Sequence, residues 1–254
     1  MKEQNGYQKR YDRYLLIRIK EVYEQNRGVY GSRRITRALR SMGVICYQNQ
    51  ISKIMQKNGI MAKTKRKFRI TTDSKHNLRV AGNLLDRYFK TIAMNQVWVG
   101  DITYIWTREG WLYLSTVIDL YSRRIVGWSI GKRITKELVI NSLEQAINIR
   151  NPQDGLIFHS DRGSQYASDE FKQVLNRINA VQSMSRKGNC WDNAVAESFF
   201  KTIKSELIYW HKFITMKEAE IKIFEYIEMY YNRSRLHSTN NYMSPNDFEN
   251  QKLP

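Results

Sequence analysis

Apolar side chains in the first sixty residues recur at the spacing of helices. Leu15 and Ile19 belong to such a series, and it predicts a helix over 12–25. The same spacing predicts two shorter helices in RRITRALRSM and QISKIMQK, each followed by a glycine that favours a helix end. Short helices in this arrangement are typical of a helix-turn-helix unit, although a small three-helix bundle that binds no DNA has the same pattern.

The pattern changes from Val97 onward to short runs rich in β-branched and aromatic residues. The runs VWVGDITYIW, WLYLSTVIDLYS and RRIVGWSIG are separated by turn residues and predict three adjacent strands. Alternating helices and short strands follow, so the chain predicts a mixed α/β domain whose sheet is flanked by helices. The predicted elements are a helix at about 134–149, a strand in GLIFHSD, a helix near 167–177, a strand around 179–184, and helices at 193–210 and about 216–231.

Charge separates these two regions further. The net charge of the 254 residues is +18, and residues 1–90 contribute +16 of it, with 22 Lys and Arg against 6 Asp and Glu. A basic surface of this density attracts a polyanion because each phosphate contact releases condensed counterions. Double-stranded DNA is therefore the expected partner, whereas a merely soluble charged surface would mix both signs.

We accordingly predict three parts: a helical DNA-binding region at 1–62, a basic linker at 63–92 and a catalytic core with C-terminal helices at 93–254. The two cysteines, Cys46 and Cys190, match no metal-binding or redox spacing, which favours reduced thiols. Neither a signal peptide nor an apolar run long enough for a membrane span is evident. We expect a cytoplasmic, nucleoid-associated protein without membrane contact.

Three carboxylates carry the candidate chemistry. Asp101 interrupts an apolar strand, where an isolated charge would be costly to desolvate. Asp161 ends a predicted strand, and Glu197 lies in the first turns of a helix whose polar stripe includes Lys201 and Lys204. Taken singly, each of these acids could equally be a surface group or a helix salt bridge.

Other polar residues near these carboxylates have structural interpretations. Asp119 is the main rival carboxylate, and we interpret it as structural or turn-forming. Asp192 is interpreted as a helix N-cap. His159 and His237 could position a phosphate, but a structural role is the commoner one for a histidine in such a position.

The segments around the three carboxylates resemble a known enzyme family. WVGDITYI, HSDRGSQY, SRKGNCWDNAVAESFFKTIKSE and YYNRSRLHSTNNYMSP are similar to successive motifs of the catalytic subunit of DDE transposases from bacterial insertion sequences, and 35 residues separate Asp161 from Glu197, as in retroviral integrase cores. The N-terminal segments YGSRRITRALRSMG and NQISKIMQKNGI resemble the helical region of the same subunit. The resemblance implies a ribonuclease H-like fold in which Asp101, Asp161 and Glu197 are catalytic and bind metal.

Such a carboxylate triad implies metal-dependent DNA strand cleavage and strand transfer. Carboxylates crowded together repel one another, and two Mg²⁺ (or Mn²⁺) ions would neutralise them and hold a phosphodiester. The resemblance further implies a homo-oligomer on DNA and a small upstream-frame subunit or fusion partner. The alternatives are a two-metal nuclease of the same fold without strand transfer and a non-catalytic DNA-binding regulator descended from a transposase.

Basic and polar residues on these elements are the candidate DNA contacts, with solvated surface charges as the alternative. They are Arg33, Arg34, Arg37, Gln50, Lys53 and Lys57 on the predicted helices, Lys63, Lys65, Arg66 and Lys67 in the linker, and Arg162, Lys187, Lys201 and Lys204 near the carboxylates.

Overall fold

A computed structural model describes residues 2–63, 80–86, 89–186 and 190–251. The chain divides into two compact units, the first formed by residues 1–66 with 236–242 and the second by residues 67–235 with 243–254. Within the described ranges, no helix combines the length and the apolar character needed to cross a membrane.

The first unit is built from helices that bury one apolar face each. Helix α1 (Lys2–Gln25), α2 (Ser32–Ser41) and α3 (Gln48–Lys57) pack on one another. Leu15 and Ile19 are fully buried, as their helical spacing predicts. The N-terminal all-α region expected from the sequence is therefore confirmed.

The second unit contains the sheet that positions the candidate site. Its described residues form five strands: β1 (Val97–Thr107), β2 (Gly110–Asp119), β3 (Ile125–Gly131), β4 (Ile157–Ser160) and β5 (Val181–Met184). Their order in the sheet is β3-β2-β1-β4-β5. Strand β1 is central, antiparallel to β2 and parallel to β4. Strands β2 and β3 are antiparallel, and β4 and β5 are parallel.

Helices cover this sheet and follow it along the chain. They are α4 (Lys136–Arg150), α5 (Asp169–Arg177), α6 (Ala194–Glu206), α7 (Met216–Phe224), a π-helix over Glu225–Tyr231 that continues α7, and α8 (Pro245–Asn250). Helix α4 approaches β3 so closely that a Cβ on Gly127 would lie 2.1 Å from the carbonyl oxygen of Ser142. A buried cluster that includes Trp98, Leu143 and Phe158 fills the space between helices and sheet. The predicted mixed sheet flanked by helices is confirmed.

Candidate active site

Asp101 lies in the middle of the central strand β1 and is half-buried. Its Oδ1 accepts a hydrogen bond from the backbone N–H of Ile102 at 2.8 Å. Burial raises the pKa of Asp101 well above its ordinary value, and the charges of Asp161 and Glu197 raise it further. The Ile102 N–H and the Lys204 ammonium oppose this rise. The protein therefore brings the charges of the three predicted carboxylates within range of one another.

Asp161 reaches this region because of the register between β1 and β4. Gly100 on β1 is paired with Ser160 on β4, so the next residues of these parallel strands, Asp101 and Asp161, follow side by side. The Oδ1 atom of Asp161 accepts a hydrogen bond from the N–H of Gly163 at 2.9 Å. This turn fixes one carboxylate oxygen, while the adjacent strand fixes the position of the residue.

Glu197 is supplied by the first turn of α6, which contacts β1. The Asn193 side-chain amide donates to the carbonyl oxygen of Gly100 at 3.4 Å and so ties the start of the helix to the strand of Asp101. Burial raises the pKa of Glu197, although the residue as a whole is exposed. No group of three His, Cys, Asp or Glu side chains among the described residues is arranged to hold a metal ion. Glu197 thus lies near the aspartates without completing a ligand set with them.

Tyr166 is a further residue of this region, and the sequence interpretation did not single it out. Its side chain is buried, and its pKa is raised well above the usual value by burial and then by the charges of Asp101 and Asp161. Its ring packs at right angles to Phe171, with 5.3 Å between ring centroids. The only sequence signal was its place in the segment HSDRGSQY, five residues after the second aspartate.

The opposite face of α6 is fixed by a buried ion pair and aromatic contacts. Arg235 donates to both carboxylate oxygens of Glu206, and the Tyr226 hydroxyl donates to the same carboxylate at 2.7 Å. Phe199 packs edge-on against Tyr231 of the π-helix at 4.9 Å between ring centroids. The helix therefore has one anchored face and one face that carries Glu197.

The two remaining acidic candidates, Asp119 and Asp192, make structural contacts. Asp119 is buried and accepts hydrogen bonds from the N–H groups of Asn95 and Tyr121, in agreement with a turn-forming role. The N-cap interpretation of Asp192 is wrong, because Asn193 occupies that position. The Asp192 carboxylate is instead buried and accepts from the backbone and side chain of Arg186.

His159 is buried between two serine hydroxyls. Its Nδ1 lies 2.8 Å from the Ser183 Oγ and its Nε2 3.2 Å from the Ser185 Oγ. Burial lowers its pKa to about 4, so the imidazole is neutral at physiological pH. This geometry agrees with the structural role and leaves no ring nitrogen directed at a phosphate.

The candidate DNA-contacting residues of the core differ in how many contacts they already make within the protein. The Arg162 Nε donates to the carbonyl oxygen of Ser185 at 2.8 Å. Lys201 is exposed, and the Lys204 ammonium lies 4.4 Å from the ring centroid of Tyr104. Lys187 lies outside the described residues. Of the core candidates that the structure describes, Lys201 is the most exposed.

On the helical unit, the candidates divide in the same way. Gln50 donates to the Asp12 carboxylate at 3.0 Å, and Arg34 lies over the ring of Tyr30. Five further candidates are exposed: Arg33, Arg37, Lys53, Lys57 and Lys63. Lys65, Arg66 and Lys67 lie outside the described residues.

Comparison with known families agrees with this architecture. Two families described as integrase core domain match residues 93–190 and residues 197–253, and an HTH-like domain family matches residues 10–68. A chain of the simian T-cell lymphotropic virus intasome superimposes with a TM-score of 0.54 at 16% identity and covers 93% of this chain and 76% of that one. This likeness is one of fold, and it agrees with the mixed sheet flanked by helices that the sequence predicts.

Relatives at higher identity are insertion-sequence proteins. The transposase for insertion sequence element IS904 of Lactococcus lactis is 45% identical over 232 residues, which are 91% of this chain and 92% of that protein. The uncharacterized 31 kDa protein of insertion element IS600 from Shigella sonnei is 44% identical over 240 residues, covering 94% and 88%. Transposase InsF for insertion sequence IS3A of Escherichia coli K12 is 41% identical over 232 residues, covering 91% and 81%. The chain therefore belongs to the insertion-sequence transposases and is an enzyme of the DDE transposase/integrase type.

Proposed function

We propose that Asp101, Asp161 and Glu197 are the catalytic carboxylates of this transposase and that they act in DNA strand cleavage and strand transfer at insertion-sequence ends. The observation that carries this proposal is the register of two parallel strands, which sets Asp101 beside Asp161, together with the contact of the helix of Glu197 with the same central strand. A surface acid or a helix salt bridge would have no reason to lie on a central strand beside further carboxylates.

The donor chemistry of this site suits a hard divalent cation. Three carboxylates offer oxygen ligands only, which favours Mg²⁺ or Mn²⁺ over softer metals. Asp101 and Asp161 are the pair fixed by the sheet, and Glu197 would join them by a side-chain rotation from the exposed surface of α6. Two such ions would neutralise the carboxylates and polarise the phosphodiester between them.

The protein's own part in the reaction is to position DNA and to balance charge. In the cleavage step, water attacks the phosphodiester at the element end, a new P–O bond forms, and the bond to the 3′-oxygen breaks. In the joining step, the freed 3′-hydroxyl attacks a target phosphodiester in the same way. Each step hydrolyses or exchanges one phosphodiester, so the reaction needs no ATP. Lys201 and Lys204, on the face of α6 that carries Glu197, would bind phosphates beside the reacting one.

Double-stranded DNA is the proposed partner at both units. The exposed basic residues of α2 and α3 would bind the backbone of the element end, while the core acts on the reacting strand. We further propose that the protein acts as a homo-oligomer, because joining two ends to one target requires two active sites. A small upstream-frame subunit or fusion partner would add further end recognition.

The test uses the full chain with Mn²⁺ or Mg²⁺ and a duplex that carries the terminal repeat of the element. We expect nicks at the 3′ ends and joined products, and we expect Glu197→Gln to abolish both while DNA binding stays intact. Glu137→Gln is the matched control, because Glu137 is likewise an exposed glutamate in the first turn of a helix. Activity that survives Glu197→Gln would overturn the triad. Nicking without joining would assign the chain to the nuclease alternative.

A further inference from the structure

Helix α2 presents a face made almost entirely of arginine. Arg33, Arg37 and Arg40 are spaced by four and three residues and so share one side of the helix. Ile35 and Leu39 are fully buried on the opposite side. The helix contains no acidic residue, so this side carries positive charge that is not offset within the helix.

This face forms one wall of a cavity of about 270 Å³. Among the residues that the structure describes around it, none is acidic. Arg40 is held in place by a hydrogen bond of 2.9 Å from its Nε to the carbonyl oxygen of Cys46. The cavity, called here the arginine cleft, is lined by Arg33, Thr36, Arg37, Arg40, Gln48 and Tyr242.

Tyr242 comes from the segment Leu236–Tyr242, which belongs to the helical unit although it follows the core in sequence. Its ring centroid lies 4.9 Å from the guanidinium carbon of Arg37. The segment is fastened by the Leu236 N–H, which donates to the Tyr30 hydroxyl at 2.7 Å, and by the Tyr242 N–H, which donates to the carbonyl oxygen of His237 at 2.8 Å. The cleft is therefore assembled from residues more than two hundred positions apart.

The backbone at Tyr242 is strained. Asn241 and Tyr242 have φ angles of 51° and 62°, in the left-handed region. Asparagine tolerates this region, but a bulky aromatic residue is rarely found there. Glycine would adopt the same turn without strain. A tyrosine in this position is consistent with a requirement for its ring.

We propose that the arginine cleft binds a backbone phosphate of duplex DNA and that Tyr242 is a positioning residue that holds the Arg37 guanidinium toward it. Arginine suits this ligand because its planar N–H groups match phosphate oxygens in pairs, and a ring beneath the guanidinium fixes its plane. The Gln48 amide adds a neutral donor, whereas the Thr36 hydroxyl already donates to the carbonyl oxygen of Ser32 at 2.8 Å. Contacts of this kind set position and affinity and do not read base sequence. The inference rests on the proposed DNA-binding function.

The test is fluorescence anisotropy of the full chain with two labelled duplexes of equal length, one from the element end and one unrelated, over a series of salt concentrations. Tyr242→Gly removes the ring and relieves the strain, and we expect about tenfold weaker binding to both duplexes, as for the loss of one charge-assisted hydrogen bond. The slope of log K against log salt should shrink by about 0.9, the value for one phosphate contact. Tyr242→Phe keeps the ring and should bind within about twofold of the parent.

Two further variants keep the proposal open to refutation. Arg37→Gln leaves Tyr242 in place and should reproduce the loss seen with Tyr242→Gly. Lys217→Gln removes one exposed positive charge on α7 and should leave the salt slope unchanged. If Lys217→Gln lowered the slope of log K against log salt as much as the cleft variants do, the effect would be one of net charge alone. That result would overturn the proposal. Unchanged binding by Tyr242→Gly, or a loss on only one duplex, would also overturn it.

The ligand class is tested by inorganic phosphate and by duplex RNA. Inorganic phosphate could raise the melting temperature of the parent but not of Tyr242→Gly, while the two proteins bind DNA with equal affinity. That result would assign the cleft to free phosphate. A Tyr242-dependent loss of affinity for RNA but not for DNA would assign it to RNA. Either result overturns the DNA assignment. These measurements read binding alone, so they are distinct from the Glu197→Gln assay, which reads strand chemistry.

Discussion

The ion pair between Glu206 and Arg235 provides a stringent test of how α6 is held. The two side chains are 7% and 5% exposed, and the distance from the Arg235 Nη2 to the Glu206 Oε1 is 2.7 Å. Burial acts to lower the pKa of Arg235, but attraction to Glu206 and the hydrogen bonds between them raise it on balance. The perturbation is Arg235→Met, which keeps a long apolar side chain and removes the charge.

The expected magnitude follows from the burial of the partner that remains. Without Arg235, the Glu206 carboxylate keeps the Tyr226 hydroxyl as a donor but loses its counter-charge. Breaking a buried pair in this way costs about 3–5 kcal/mol in the free energy of unfolding. Adding Glu206→Gln removes the unpaired charge and keeps an acceptor for Tyr226, so the double variant should lose only about 1–2 kcal/mol.

Urea denaturation followed by tryptophan fluorescence measures these differences. At a typical slope of about 2–3 kcal/mol per molar urea, the single variant should unfold about 1–2 M earlier than the parent. Lys217→Met is the control, because it breaks an exposed ion pair with Glu220 and should cost less than about 1 kcal/mol. The reasoning would be refuted if the double variant lost as much free energy of unfolding as the two single variants added together. Such a result would show that the effects of the two charges are independent of each other.

Three further outcomes are expected. Asp101→Asn, in the absence of divalent cations, should raise the melting temperature by about 2–4 °C, the equivalent of about 1 kcal/mol, because it removes a buried charge; a lower melting temperature would contradict this. The free energy of unfolding should fall by about 3 kcal/mol as the pH drops from 6.5 to about 4, because His159 stays neutral in the folded protein and gains a proton when the protein unfolds. The variant His159→Gln should flatten this part of the pH profile. Gly127→Ala should lower the free energy of unfolding, measured by calorimetry, by at least about 3 kcal/mol, because its Cβ would lie 2.1 Å from a carbonyl oxygen of α4. The control Gly82→Ala, with no atom within 4 Å of its Cβ, should leave the free energy of unfolding nearly unchanged.

The sheet could be predicted from the sequence because its strands are rich in apolar residues and are bounded by turn residues. The runs that begin at Val97 and end near Gly131 became β1, β2 and β3, and the short strands at 157–160 and 181–184 appeared where apolar runs predicted them. A buried strand leaves a local signal in every residue, so no knowledge of its neighbours is needed to find it.

Helix ends were less predictable, because they depend on contacts outside the helix. Helix α1 begins at Lys2, ten residues before its predicted start, in a stretch without an apolar period. Gly31 and Tyr47 hold the N-cap positions of α2 and α3 and make no side-chain hydrogen bond to the helix, although Ser32 and Asn49 nearby have side chains of the capping type. Helix α7 continues as a π-helix, whose wider turn cannot be recognised from helical spacing alone.

The association of residues 236–242 with the helical unit left no local signal either. The predicted core ran without a break from residue 93 to the C-terminus. The structure groups this segment with the N-terminal helices through contacts such as that between Tyr242 and Arg37, which are separated by two hundred residues. The strained backbone at Tyr242 is likewise invisible in a sequence, because only the folded loop imposes it.

The three residues of the proposed triad are positioned in different ways. Asp101 and Asp161 are neighbours because of backbone register: two parallel strands paired at Gly100 and Ser160 place the residues that follow side by side. Glu197 has no such constraint, and its position depends on where α6 lies. That helix is fastened at its start by the Asn193 amide and at its end by Glu206. Substitutions at the distant end of α6 should therefore disturb Glu197 more than either aspartate, although none of those residues approaches DNA in the proposed reaction.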